Sequence, residues 1–270
     1  MTETLKLLAV FAHPDDESMG IGGTLAKYSG EGVETYLVCA TRGERGWFGP
    51  EETDPGWERL AAIRTKELEA AGKVLGLKEI HFLNYIDGDL DQANPEEAIG
   101  RIVAHIRRIK PQVVVTFSHD GNYGHPDHIA ISQFTNAAIV CAADASYVDS
   151  SGRPPHRVTK LYYFVDSEEI ADFFTRHLGN IEFPVDDQLR GESPWKEWMI
   201  TTRVDISSTW KTAWDAISCH QSQLPSIAPL LDLPEGEIQK LLTMQGTFYR
   251  AYSLVNGGRK RETDLFEGLR

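Results

Sequence analysis

Apolar residues along this 270-residue chain fall into short, nearly unbroken runs, separated by longer stretches with helical spacing. Residues 6–11, 35–40, 80–85 and 112–117 are such runs, and each predicts a strand buried on both faces. Residues 19–28, 57–75, 95–110 and 126–143 predict helices. In the second helix, Leu60, Ile63, Leu68, Ala71 and Leu75 sit close to helical spacing, and Gly76 marks the end. Strands alternating with helices of this length imply βαβ units. The expected fold class is α/β: a Rossmann-like, mostly parallel sheet with helices on both faces and an elaborated C-terminal part. In the less regular second half, residues 160–165 and 248–254 predict strands, and 209–220 and 235–243 predict helices. Residues 147–156, rich in Ser, Gly, Pro and Asp, predict a loop. No internal repeat and no low-complexity linker is visible. One domain is therefore expected over residues 1–270, with 1–145 carrying the site and 146–270 shaping a substrate pocket.

Composition narrows the partners. Hydrophobic residues make up 41% and charged residues 25%, ordinary for a globular chain. Forty acidic against twenty-seven basic side chains give a formal charge of −13. Such a field disfavours nucleic acid and anionic lipid surfaces unless a local basic patch exists. The one basic cluster, Arg259-Lys260-Arg261, is short and is followed at once by Glu262 and Asp264. The apolar run at residues 7–12 ends in His-Pro-Asp-Asp-Glu, unlike a secretion signal, and no stretch approaches the ~20 apolar residues of a membrane span. Cys39, Cys141 and Cys219 are few, odd in number and far apart, and read as thiols in a reducing compartment. A cytoplasmic protein is expected. A free sheet edge permits a homo-oligomer, but no sequence feature demands one.

In open α/β sheets the site lies beyond the carboxyl ends of the strands. The first predicted strand is followed by His13-Pro14-Asp15-Asp16-Glu17, and the fourth by His119-Asp120-Gly121-Asn122-Tyr123-Gly124-His125-Pro126-Asp127-His128. Four of the nine histidines sit in these two turns. In the first turn, one carboxylate can bind a metal beside His13 while the other stays free as a base. In the second, Pro126 suits a first helical position, and His125 and His128 stand three apart on one helix face. Two His plus a carboxylate with open positions is the pattern of a catalytic divalent metal site, fitting Zn²⁺ and also non-haem Fe²⁺. Singly, each residue has a plainer reading: Asp15 or Asp16 as a helix cap, Asp127 as a first-turn acid. The two clusters together favour the metal.

Ala12-His13-Pro14-Asp15-Asp16-Glu17 and Gly124-His125-Pro126-Asp127-His128 resemble the two signature turns of the LmbE-like (PIG-L) family of zinc-dependent de-N-acetylases, which includes deacetylases of mycothiol and bacillithiol biosynthesis. Gly22-Gly23-Thr24-Leu25, Gly43-Glu44, Arg64 with Glu67, His220-Gln221-Ser222-Gln223 and Thr263-Asp264-Leu265-Phe266 are weaker matches that extend the resemblance over most of the chain. The resemblance implies that His13, Asp16 and His128 bind zinc and that Asp15 is the general base toward the attacking water. It implies that His125, held by Asp127, stabilises the oxyanion or protonates the leaving amine, and that Tyr123 lies near the oxyanion. Whether Asp15 or His125 supplies that proton stays open.

Other candidates are softer. Arg64 reads either as a substrate contact or as an exposed helix residue pairing with Glu67 or Glu69. Glu44 and Arg42 follow the second strand and are expected at the same mouth, where Trp47 and Phe48 have the chemistry to stack on a sugar. His220 is placed near the site, as a substrate contact, by the resemblance alone. His81, His105, His156 and His177 have no partner cluster in the sequence. Gly20, Gly22 and Gly23 do not have dinucleotide-loop spacing. The expected activity is metal-dependent removal of an N-acetyl (acyl) group from an amino sugar such as an N-acetylglucosamine conjugate. The rival readings are an amidase for a thiol conjugate or other small amide, Fe²⁺ oxygen chemistry, and a non-catalytic metal- or carbohydrate-binding protein. The iron reading fits less well, because it leaves Asp15 and His125 as spare acid–base groups.

Overall fold

The computed structural model describes residues 4–149, 152–179, 182–185, 187–255 and 260–270. Arg259 and part of the 147–156 loop lie outside these residues. Strand β1 (Lys6–Phe11) leads into helix α1 (Asp16–Gly30), β2 (Glu34–Thr41), α2 (Trp57–Leu75), β3 (Glu79–Tyr85), α3 (Pro95–Ile109) and β4 (Val113–Phe117). A short turn of helix, α4 (Gly121–Gly124), precedes α5 (Pro126–Ala143) and β5 (Lys160–Phe164). Then come α6 (Glu168–Leu178), the hairpin β6 (Glu182–Val185) and β7 (Gln188–Gly191), β8 (Thr202–Arg203), α7 (Trp210–Ile217), α8 (Ala228–Leu231), α9 (Glu235–Met244) and β9 (Thr247–Ser253).

The main sheet has seven strands in the order β3-β2-β1-β4-β5-β9-β8. Strands β1 to β5 are parallel, and β9 runs antiparallel to β5. This is the expected α/β architecture. Strands β1 and β4 are buried almost without a break, which explains their unalternating apolar sequences. Helices α1, α2 and α7 contact one another, and α3 packs on α5, so the sheet lies among two helical groups. One apolar core runs from Leu7 on β1 to Leu265 and Phe266 near the C-terminus.

Local signals account for several helix ends. Pro126 opens α5, Gly76 closes α2 in the left-handed conformation, and the Asn94 side chain caps α3 by accepting from the Glu97 N–H. The second half holds more structure than its pattern reveals. Helix α6 is absent from the sequence expectation, although Ser167 caps it, Glu168 and Glu169 fill its first turn, and Ile170 and Phe173 are its buried stripe. The β6–β7 hairpin and β8 are also absent from it, being too short to show a period.

Candidate active site

The chain turns outward in both directions from the β1–β4 pair: β2 and β3 lie to one side and β5 to the other. That reversal is the switch point where open α/β sheets bind ligands. Leu7, Leu8 and Ala9 pair with Val113, Val114 and Val115, so the turns after β1 and β4 emerge side by side. Two clusters separated by more than a hundred residues therefore meet.

His13 Nδ1 lies 3.2 Å from His128 Nε2. The His128 ring stacks on Phe117, with centroids 3.8 Å apart, and its Nδ1 faces the Gly121 carbonyl at 3.3 Å. A proton on Nδ1 donates to that carbonyl and leaves the Nε2 lone pair toward His13. Asp16 Oδ1 is 3.5 Å from His128 Nε2, and Asp16 Oδ2 is 3.7 Å from His13 Nδ1. The Asp16 carboxylate is itself oriented by the backbone N–H groups of Ala12 and His13, which donate to Oδ2 at 3.2 and 2.7 Å. One ligand atom from each of His13, His125 and His128 fits within 4.8 Å of the others. The His125 ring stacks on His128 at 4.6 Å, and Tyr123 stands edge-on to both, at 6.0 and 5.2 Å.

The electrostatics of this donor set fit a cation. Burial pushes Asp16 up to about 7, with the His13 charge opposing and Asp15 adding to the rise. Burial also raises Asp15, against the pull of Arg64. It lowers His125 to about 4, helped by the His13 charge, and holds His128 well below its ordinary range. Burial acts to lower His13 too, but hydrogen bonds to Asp127 and Asp87 hold it well above its ordinary range. Buried carboxylates this close together are stabilised by a divalent ion.

Asp15 points elsewhere. Its φ of 121° is a conformation that non-glycine residues rarely adopt, and its side chain caps no helix N–H. Its backbone N–H donates to Glu17 Oε2 at 3.1 Å, and its carboxylate lies 3.3 Å from Arg64 Nη2. Glu17 in turn meets His220 Nε2 at 3.0 Å, and both are fully buried. Burial opposes both charges, yet the pairing lowers Glu17 and raises His220. On α2, Glu67 takes the N–H and the hydroxyl of Ser222, at 2.8 and 2.6 Å, anchoring the turn that carries His220.

Several expectations need correction. Arg64 is not exposed: it is 3% accessible and donates to the carbonyls of Gly43 and Pro14, at 2.8 and 2.6 Å. Packing of α2 under the β1 turn buries it. His220 is likewise sealed behind Glu17. The Asp127 carboxylate does not hold His125. It takes the N–H groups of Gly88 and Leu90, at 2.7 and 3.1 Å, and faces His13 Nε2 at 3.1 Å. Only the Asp127 backbone N–H reaches His125, donating to Nδ1 at 3.2 Å. Glu44 accepts from the backbone N–H groups of Arg42 and Asp87, both at 3.3 Å, and so ties two loops together. His81 and His105 do meet, with ring centroids 4.8 Å apart, but beside Glu79 and Arg108 on the β3–α3 side. The sequence reading missed Asp87, which lies 3.0 Å from His13 Nε2. Applying the strand-end rule to β3 as well would have singled it out.

The PIG-L family model, described as GlcNAc-PI de-N-acetylase, matches residues 8–139. A 1D-myo-inositol 2-acetamido-2-deoxy-alpha-D-glucopyranoside deacetylase of Rhodococcus erythropolis is 35% identical to this chain, covering 100% of it and 99% of that protein. The chain belongs to the PIG-L family. A mycothiol S-conjugate amidase of Streptomyces coelicolor is 32% identical, covering 100% of this chain and 99% of that one. The structure of a conserved protein of Thermus thermophilus has the same fold, with a TM-score of 0.64 at 24% identity, covering 93% of this chain and 97% of that one. The expected family, fold class and enzyme class, a PIG-L hydrolase of amide bonds, stand.

Proposed function

We propose that this protein hydrolyses the N-acyl group, acetyl in the first instance, of an amino sugar such as an N-acetylglucosamine conjugate. The observation that carries this reading is the meeting of His13, Asp16 and His128 beside a separate carboxylate, Asp15, in a PIG-L chain. His13, Asp16 and His128 are the residues that would hold the metal, zinc for preference and Fe²⁺ as the alternative. A divalent ion there supplies Lewis acidity toward the acyl oxygen and makes hydroxide available near neutral pH. Asp15 takes the proton of the attacking water, and Arg64 fixes the direction of its carboxylate. His125, whose ring lies 5.0 Å from His13 and 4.6 Å from His128, and Tyr123 beside it face the developing negative charge on the acyl oxygen. The proton needed by the leaving amine comes from Asp15 or His125.

A second reading, an amidase for a thiol conjugate, is favoured by the similarly close relative of that name. Both readings use the same residues and differ in the group beyond the amide. The continuous core from Leu7 to Phe266 supports treating the chain as one domain. No helix among the described residues is long and apolar enough to cross a membrane. The three free cysteines support a reducing, cytoplasmic compartment.

The test is elemental analysis of the purified protein together with amine release from N-acetylglucosaminyl conjugates and from thiol-conjugate amides, before and after chelation. Roughly one zinc or iron per chain with chelator-sensitive release is expected. Bound metal without release from either panel would overturn the hydrolase reading, and protein free of metal would overturn the site.

A further inference from the structure

We infer that Asp87 is a positioning residue: it orients His13 so that Nδ1, and not Nε2, faces the metal. The inference rests on the proposed metal site and adds a residue to it. Three observations carry it. Asp87 Oδ1 lies 3.0 Å from His13 Nε2, while His13 Nδ1 faces His128 and Asp16 at 3.2 and 3.7 Å. Asp87 is only 6% accessible, so water does not compete freely for that contact. Its other oxygen, Oδ2, accepts the Arg45 N–H at 3.0 Å, which fixes the carboxylate plane.

An imidazole binds a metal through an unprotonated nitrogen, and the partner of the other nitrogen decides which one that is. A carboxylate only accepts, so it selects a proton on Nε2 and leaves the Nδ1 lone pair for the metal. Asp127 Oδ2 also reaches Nε2, at 3.1 Å. Its two oxygens also take the N–H groups of Gly88 and Leu90, and the second lone pair of Oδ2 remains for His13. Asp127 therefore also holds the segment that carries Asp87 in place. Asp87 Oδ1 has no backbone donor of this kind, and with Asp127 Oδ2 it is one of two carboxylate oxygens that face His13 Nε2. The N–H of Asp87 donates to Glu44 Oε1 at 3.3 Å, so the loops after β2 and β3 jointly set its position.

Asp87→Asn is the sharpest variant, because the amide has the same shape. If its oxygen stays on Nε2, its NH₂ opposes the Arg45 N–H; if it flips, the NH₂ faces Nε2 and selects the wrong tautomer. Asp87→Ala removes one of the two carboxylates at Nε2 and leaves Asp127 alone there. Loss of such an orienting partner costs about 10–100-fold in metal affinity. Zinc affinity, measured by competition with a chromophoric chelator, is expected to fall by that factor in both variants, and the visible spectrum of the Co²⁺-loaded protein is expected to change. Apo-protein circular dichroism and melting check that the variants fold. Wild-type zinc affinity in a folded Asp87→Asn protein would overturn the inference and leave the metal site standing. Wild-type protein that binds neither zinc nor Co²⁺ would overturn both. A readout free of any variant is long-range ¹H–¹⁵N correlation on zinc-loaded, ¹⁵N-histidine-labelled protein. The inference expects His13 to carry its proton on Nε2, and a proton on Nδ1 overturns it.

Discussion

The Arg64 guanidinium lies 3.3 Å from the Asp15 carboxylate, in a place where only 3% of Arg64 is accessible. The same guanidinium donates to Pro14 O and Gly43 O, so one side chain joins helix α2, the turn after β1 and the loop after β2. Asp15 is thus aimed by a buried side chain. Arg64→Lys keeps the charge but not the planar fork that serves these acceptors together. Its kcat is expected to fall about 10²-fold through misplacement of the base. KM and bound metal should change little. Steady-state kinetics with elemental analysis checks this, and a wild-type kcat in R64K would remove Arg64 from the positioning of Asp15.

Gly43 makes that arrangement possible. Its φ is +66°, and a Cβ there would run into the Arg64 guanidinium. Gly43→Ala is expected to destabilise the protein by more than about 1 kcal/mol from backbone strain and to lower kcat by moving Arg64. Thermal melting and kinetics on one preparation report the two effects. Unchanged kcat in a destabilised G43A protein would show that the guanidinium has another route to Asp15.

Asp15→Ala separates catalysis from binding. A hydrolase should keep its metal and lose turnover by about 10²–10⁴-fold, because the base is gone while the ligands remain. A metal- or carbohydrate-binding protein should keep its metal and its ligand, with no turnover to lose in either form. Metal analysis, ligand titration and amine release distinguish them.

His13→Ala and His128→Ala should each lower metal occupancy, since His13 Nδ1 and His128 Nε2 face each other 3.2 Å apart. Chelation of the wild-type protein should lower its melting temperature, because an ion that binds only the folded state stabilises it by mass action. The two variants should show a much smaller chelation shift, and an equal shift would place the ion elsewhere.

Far from the site, Glu262 holds the C-terminal segment onto the sheet. It pairs with Lys160 at 2.8 Å and Arg250 at 2.7 Å, and takes the Tyr162 hydroxyl. Burial acts to raise its pKa, but the bonds from Lys160 and Tyr162 leave it below 4.5. The stability it contributes is complete above the unfolded pKa, near 4.5, and is lost as pH falls through the lower folded value. Glu262→Gln should cost about 3 kcal/mol near neutral pH by stranding Lys160. The difference from wild type should shrink below about pH 4. A gap that stays constant into acid would argue against an ionised Glu262 in the folded protein.

Much of this molecule was legible along the chain. The unbroken apolar runs of β1 and β4 and the helical spacing of α2 are local patterns, and the order of such elements names the fold class. The two His-Pro-Asp turns were legible because a loop of imidazoles and carboxylates after a buried strand has little other use. Helix α6 escaped although Ser167, Ile170 and Phe173 mark it, and the β6–β7 hairpin escaped because four-residue strands are too short to show a period.

Tertiary structure alone decided which polar atom meets which. Asp127 stands two residues from His125, yet its carboxylate turns to His13, because the backbone N–H groups of Gly88 and Leu90 wait on that side. Asp87 and Arg64 act on His13 and Asp15 from segments far away in the chain, and His220 reaches Glu17 across 203 positions. Composition and period determine which segments are buried and which loops carry chemistry. The pairing of acceptor with donor depends on side-chain direction and on the approach of distant segments, which no local pattern encodes.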